Sequence, residues 1–113
     1  MSGYFELKPA AGAEFMFNLK AANHEVILTS ERYASRAGAE SGIASVKENA
    51  ALDERYQRKV SKDDAPHFVL VAANGQTIGK SEMYSSSKAM EGGIASVKAN
   101  ACLLYTSDAA DEL

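Results

Sequence analysis

Cysteine is almost missing from this chain, with Cys102 the single instance. That excludes an intrachain disulfide framework and any cysteine-based zinc site. Histidine is nearly as scarce: His24 and His67 stand alone, and neither has an Asp, Glu or Cys at metal-ligand spacing. No apolar run approaches the roughly 18 residues of a membrane-spanning helix. Met1-Ser2-Gly3-Tyr4 runs straight into a strand-like pattern, so no signal peptide is expected and the chain reads as cytoplasmic. Neither sign of charge dominates, since 12 basic and 15 acidic side chains leave −3, with no broad pull toward nucleic acid. No Gly-x-Ser-x-Gly nucleophile elbow occurs. Gly92-Gly93 falls inside a helical pattern and is not a phosphate loop. What is present is ordinary globular composition, 46% hydrophobic over 113 residues.

Self-similarity organises that composition. A shift of 51 residues lays residues 5–50 on residues 56–101 without a gap, and 20 of the 46 aligned positions are identical. Gly42-Ile43-Ala44-Ser45-Val46-Lys47 recurs as Gly93-Ile94-Ala95-Ser96-Val97-Lys98. Ala21-Ala22-Asn23 recurs as Ala72-Ala73-Asn74, and Ser30-Glu31-x-Tyr33 as Ser81-Glu82-x-Tyr84. Two copies are too few for a solenoid, and each half is near the lower size limit for independent folding. The chain is therefore expected to form a single domain over residues 1–101, with repeats at 4–50 and 56–101 sharing one core. It is the covalent counterpart of a homodimer, hence expected to be a monomer.

Each repeat predicts three strands and a helix. Phe5 and Leu7 alternate with Glu6 and Lys8, as do Phe15, Phe17 and Leu19 with Asn18 and Lys20. Asn74-Gly75 is a hairpin signal that asks for positive φ at both positions, and His24 occupies the glycine's place in the first copy. Ser35, Ser85 and Ser86 are candidate helix N-caps. Ala39, Ile43, Val46 and Ala50 form an apolar helical stripe, mirrored by Met90, Ile94, Val97 and Ala101. Gly42 and Gly93 sit mid-helix, where they read as points of close packing. The expected fold is α+β: two β-β-β-α units forming one antiparallel sheet, both helices on one face, related by a pseudo-two-fold.

The blocks Phe17-Asn18-Leu19-Lys20-Ala21-Ala22-Asn23, Thr29-Ser30-Glu31-x-Tyr33 and residues 42–47, with their second copies, resemble the YegP-like family of small bacterial tandem-repeat proteins. The resemblance spans about residues 3–101. It implies the same two-unit sheet, with a strand after each helix exchanged between units, and it brings no catalytic residue or cofactor. Residues 102–113 have no counterpart in the repeat. This tail, opening Cys102-Leu103-Leu104-Tyr105-Thr106-Ser107-Asp108, resembles a translated sequencing-library adapter, so it is expected to be foreign to the natural protein. Asp108, Asp111 and Glu112 then account for the whole net charge, and residues 1–101 balance at 12 basic and 12 acidic.

No constellation of residues predicts catalysis. Asp63-Asp64 and Asp53-Glu54 read as exposed turn carboxylates without the burial that tunes a general acid or base. Tyr33 and Tyr84 read as rings packed at the sheet–helix corner. The strand phase facing away from the helices is the candidate interaction surface: Tyr4, Lys8, Asn18 and Lys20 from one repeat, Lys59, His67, Val69 and Val71 from the other. Val69 and Val71 are apolar where solvent is expected, which points either to cover by a loop or to a patch for a partner. A non-enzymatic binding module, without cofactor, metal or membrane contact, is the leading expectation. Weak nucleic-acid binding on the aromatic- and lysine-bearing face is one alternative, and an enzyme with an unrecognised site is the other.

Overall fold

Alternating strands, hairpin turns and amphipathic helices assemble in the expected order in the computed structural model, which describes residues 3–101 and 106–108. The strands are β1 (Tyr4–Ala10), β2 (Glu14–Lys20), β3 (Val26–Ser30), β4 (Tyr56–Val60), β5 (Pro66–Val71), β6 (Thr77–Lys80) and β7 (Thr106–Asp108). Helix α1 (Arg36–Asn49) follows β3, and α2 (Ser87–Ala101) follows β6. The sheet order is β4-β5-β6-β3-β2-β1-β7. Its first six strands pair antiparallel, and the two units meet where β3 lies against β6. Fold class and helix placement are therefore as expected. Two details differ. β7 runs parallel to β1, so the seventh strand is not part of the antiparallel set. The resemblance implied an exchanged strand after each helix, yet only β7, following α2, crosses to the other unit. After α1 the chain makes a 3-10 turn at Asp53–Arg55 and becomes β4, which pairs within its own unit. The remainder of the tail lies outside the described residues.

The core forms because one phase of every strand is apolar. Phe5, Leu7, Phe17, Leu19, Phe68 and Leu70 are almost fully buried and meet Ala39, Ile43, Val46, Met90, Ile94 and Val97 from the helices in one continuous cluster. Both helices contact strands of both units, which makes the two halves one core. Edge-to-face ring pairs bind β1 to β2 (Phe5–Phe17, 5.9 Å) and β4 to β5 (Tyr56–Phe68, 5.6 Å). The caps are Ser35, which accepts from Gly38 N–H, and Ser86, which accepts from Ala89 N–H.

The hairpin turns correct one expectation. In the β2–β3 and β5–β6 turns positive φ falls on His24 (70°) and Gly75 (84°), not on the preceding asparagines. Asn23 and Asn74 instead accept from the N–H two residues on, and Ala21 N–H bonds Glu25 O, as Ala72 N–H bonds Gln76 O. This is a three-residue loop ending in the left-handed conformation, a shape in which asparagine's short polar side chain closes the turn.

The recurring Ser-Glu-x-Tyr blocks are structural. Ser81 Oγ accepts from Phe68 N–H (3.0 Å) and donates to Glu82 O (2.8 Å). Ser30 does the same with Phe17 N–H (2.9 Å) and Glu31 O (2.7 Å). Each hydroxyl thus replaces a ladder bond at the end of its hairpin. Ser81→Ala leaves the buried Phe68 N–H without an acceptor, and we expect a loss of about 1 kcal/mol in urea unfolding, the low end because Glu82 is exposed to water. An unchanged unfolding midpoint would show that the bond is dispensable.

Candidate interaction surface

The helix-free face is built by the strand phase that the core does not use. Its central row crosses the sheet as Glu6, Asn18, Thr29, Lys80, Val69 and Gln57, each opposite the next. Lys8 lies opposite Met16 in one unit, and its repeat mate Lys59 lies opposite His67 in the other. The face therefore carries a lysine at each of two pseudo-symmetric corners. Tyr4 sits opposite Lys20, its hydroxyl 2.8 Å from His24 Nδ1. The His24 ring stacks edge-on to Tyr4 at 5.7 Å. His24 is thus an exposed turn residue tethered to Tyr4.

Six of the eight candidate residues are accessible, and two are corrected. Asn18 is 7% exposed and Val71 6%. Asn18 is hemmed by Glu6 and Thr29 on the flanking strands, and Lys20 reaches diagonally to Glu6 at 3.2 Å alongside it. Val71 falls where the ladder slips between Leu70 and Val71 and is buried, while its repeat mate Lys20, at the matching slip, stays accessible. Among the described residues, His67 Nδ1 is buried without a hydrogen-bond partner. Thr29 and Lys80 complete the centre of the face and were missed by sequence reasoning. Their signal was available, because they are repeat mates in the same phase as Asn18 and Val69.

A second concavity was also missed. A cleft of about 440 Å³ opens where the β3–α1 loop and α1 approach the β5–β6 hairpin, lined among others by Glu31, Tyr33, Ser41, Ser45, Gln76 and Thr77. Burial, then the Glu31 carboxylate, raises the Tyr33 hydroxyl pKa above its ordinary 10.0. Burial, then Glu82 and Glu25, does the same to Tyr84 in the matching place. Among the described residues the charged lining is Glu31 and Arg32, with no histidine, cysteine or lysine. It offers hydrogen bonds to a ligand rather than an acid–base pair. Because both folded tyrosines hold their protons above pH 10, their stabilisation is present below the unfolded pKa and is lost as pH rises through the folded one. Thermal melts taken between about pH 9 and pH 11 should show a smaller decline for Tyr33→Phe/Tyr84→Phe than for the parent. Equal declines would refute the assignment.

A small α+β protein emerges, with two similar units, one shared core and one helix-free sheet face. Comparison places it more narrowly. The chain belongs to the family of the domain of unknown function DUF1508, which matches it twice, over residues 10–57 and 61–102. It is 62% identical to a UPF0339 protein of Bordetella pertussis over 101 residues, 89% of this chain and 90% of the relative. It is 52% identical to UPF0339 protein YegP of Escherichia coli O157:H7 over 100 residues, 88% and 91% of the two chains. The solution NMR structure of yegP from E. coli, titled a protein of unknown function, superposes with a TM-score of 0.91 at 48% identity, covering 96% of this chain and 94% of that one. That of a UPF0339 protein from Shewanella oneidensis gives 0.90 at 48% identity, covering 96% and 92%.

Proposed function

We propose that the protein is a non-enzymatic, cytoplasmic interaction module. It acts as a monomer whose two halves play the parts of two subunits, and it meets a protein partner through the open sheet face or its edge. The observation that carries this is the face itself: Lys8 and Lys59 at its pseudo-symmetric corners, with the partly buried apolar Val69 between them, uncovered by either helix. Such a patch suits a partner surface that is apolar at the centre and acidic at the rim. Residues 1–101 carry the function, and residues 102–113 are an adapter-derived addition, which adapter-independent sequencing of the locus tests. Among the described residues no helix is long and apolar enough to cross a membrane.

The test is affinity capture from the source cells with parent and Val69→Glu baits in parallel. A partner held by the parent and lost by Val69→Glu is the expected result, and identical captured sets would refute the face. Lys80, joining Lys8, Lys20 and Lys59 on this face, supports one second reading, single-stranded nucleic acid. Fluorescence titration with single and double strands at low salt decides it. Binding that weakens steeply with salt would replace the protein partner.

A further inference from the structure

β1 and β4 hold matching places in the two units, since the 51-residue shift carries Phe5 onto Tyr56 and Leu7 onto Arg58. Their outer edges differ. β7 pairs in parallel with β1, Phe5 against Thr106 and Leu7 against Asp108. Among the described residues β4 pairs with β5 alone. The cause is topological. The stretch after α2 is free to cross to the other unit, whereas the equivalent stretch after α1 has become β4 itself. In this chain the added tail fills one of two equivalent edges, and the other is left open. The filling strand, Thr106–Asp108, keeps a parallel main-chain register on β1.

The open edge presents usable donors and acceptors. Phe68 directs its N–H to Ser81 Oγ and its C=O to Ser81 N–H, so both point toward β6. Ladder groups alternate in direction along an antiparallel pair. Arg58, opposite Phe68, therefore turns its N–H and C=O away from β5, and the period of two extends this to Val60. Around these groups, Lys59 is exposed and makes no ion pair among the described residues, and Val60 is 64% exposed. Arg58 is already held by Glu91 (2.6 Å) and Asp53 (3.1 Å). Two copies meeting edge to edge would bring Arg58 and Lys59 against like charges, which disfavours self-pairing.

We propose that the outer edge of β4 docks an extended acidic segment of a partner protein, added in parallel in the register that β7 keeps on β1. This rests on the interaction-module assignment and names the kind of partner. A carboxylate lies opposite Lys59 and an apolar residue opposite Val60, while main-chain bonds to Arg58 and Val60 supply the pairing.

The probe is the blocked peptide Thr-Ser-Asp-Glu-Val-Thr, titrated into the full chain and followed by NMR and amide exchange. Exchange is expected to slow at the Arg58 and Val60 amides and to change little at Gln57 and Lys59, whose amides already face β5. Lys59→Glu weakens binding at least about threefold. Val60→Pro, which removes an outward donor from an edge strand and leaves the β5 ladder intact, weakens it at least about tenfold. No protection at millimolar peptide overturns the proposal, as does equal binding of a peptide with lysine in place of glutamate. Shifts confined to Lys20, Thr29 and Lys80 overturn the edge while leaving the open face as the binding surface.

Discussion

Gly93→Ala is expected to destabilise the protein by about 2 kcal/mol, and its neighbour Gly92→Ala to stabilise it by about 1 kcal/mol. Alanine is the better helix former at both positions, so the opposite signs isolate packing. A Cβ on Gly92 meets nothing within 4 Å. A Cβ on Gly93 lands on the Tyr84 hydroxyl, 2.6 Å from Tyr84 Cζ and 3.3 Å from Phe68 Cε2. The tyrosine is not free to step aside. Its ring stacks on Phe68 at 6.3 Å and 12°, and its N–H donates to Pro66 O. Displacing it loses the stack and opens the core beside Phe68, which is fully buried. The first unit repeats the arrangement, with the Gly42 Cβ 2.7 Å from Tyr33 Cζ and closer to its phenylalanine, 2.9 Å from Phe17 Cε2. Urea unfolding of the two single variants, with Gly93→Ala repeated in a Tyr84→Ala background, measures the effect. The penalty should vanish once the ring is gone. A Gly93→Ala protein more stable than the parent would show that the ring yields without cost.

That pairing of a glycine with a tyrosine 9 positions earlier was half legible in the sequence. Recurrence of both residues marked them, and mid-helix glycine implied close approach, but nothing along the chain says which ring fills the gap. The same division holds elsewhere. Strand phase, helix stripes and both N-caps follow from local chemistry, and the structure has them where the residues predict. Exposure does not follow from phase. Asn18 and Val71 lie in the phase opposite the core positions, yet both are buried, Asn18 among its cross-strand neighbours. The hairpins were recognisable from Asn-Gly, while their loop type depended on a backbone pattern that one dipeptide does not determine. The parallel β7 and the open β4 edge come from topology alone, because Thr-Ser-Asp carries no strand signal of its own. The cleft at Tyr33 is assembled from three separate segments, and only the recurring tyrosine announced it.

Gly79→Leu is expected to cost about 3 kcal/mol or more, the largest effect of any single change considered, although it only restores the residue its repeat mate Leu28 already has. Thr29 and Lys80, themselves repeat mates, face each other at the centre of the sheet, so the pseudo-two-fold passes between them. On one side of it Ser30 pairs with Gly79. On the other, the mates Ser81 and Leu28 are not paired. Gly79 permits the closer approach: a Cβ there would sit 2.9 Å from Thr29 O and 3.1 Å from Leu28 Cγ. The axis has room for one leucine, and Leu28, 1% exposed, occupies it. Two identical subunits would have to place the same residue on both sides. A single chain with two separately encoded halves does not, and Leu28 with Gly79 is what that freedom allows. Leu28→Gly alone should cost about 3 kcal/mol through the lost side chain and the cavity it leaves. The exchanged variant Leu28→Gly/Gly79→Leu moves the leucine across the axis. It should be more stable than Gly79→Leu alone despite carrying a second harmful substitution, giving a favourable coupling in the double-mutant cycle. Simple addition of the two losses would mean that the halves do not compete for one space, and that the asymmetry at the axis has another cause.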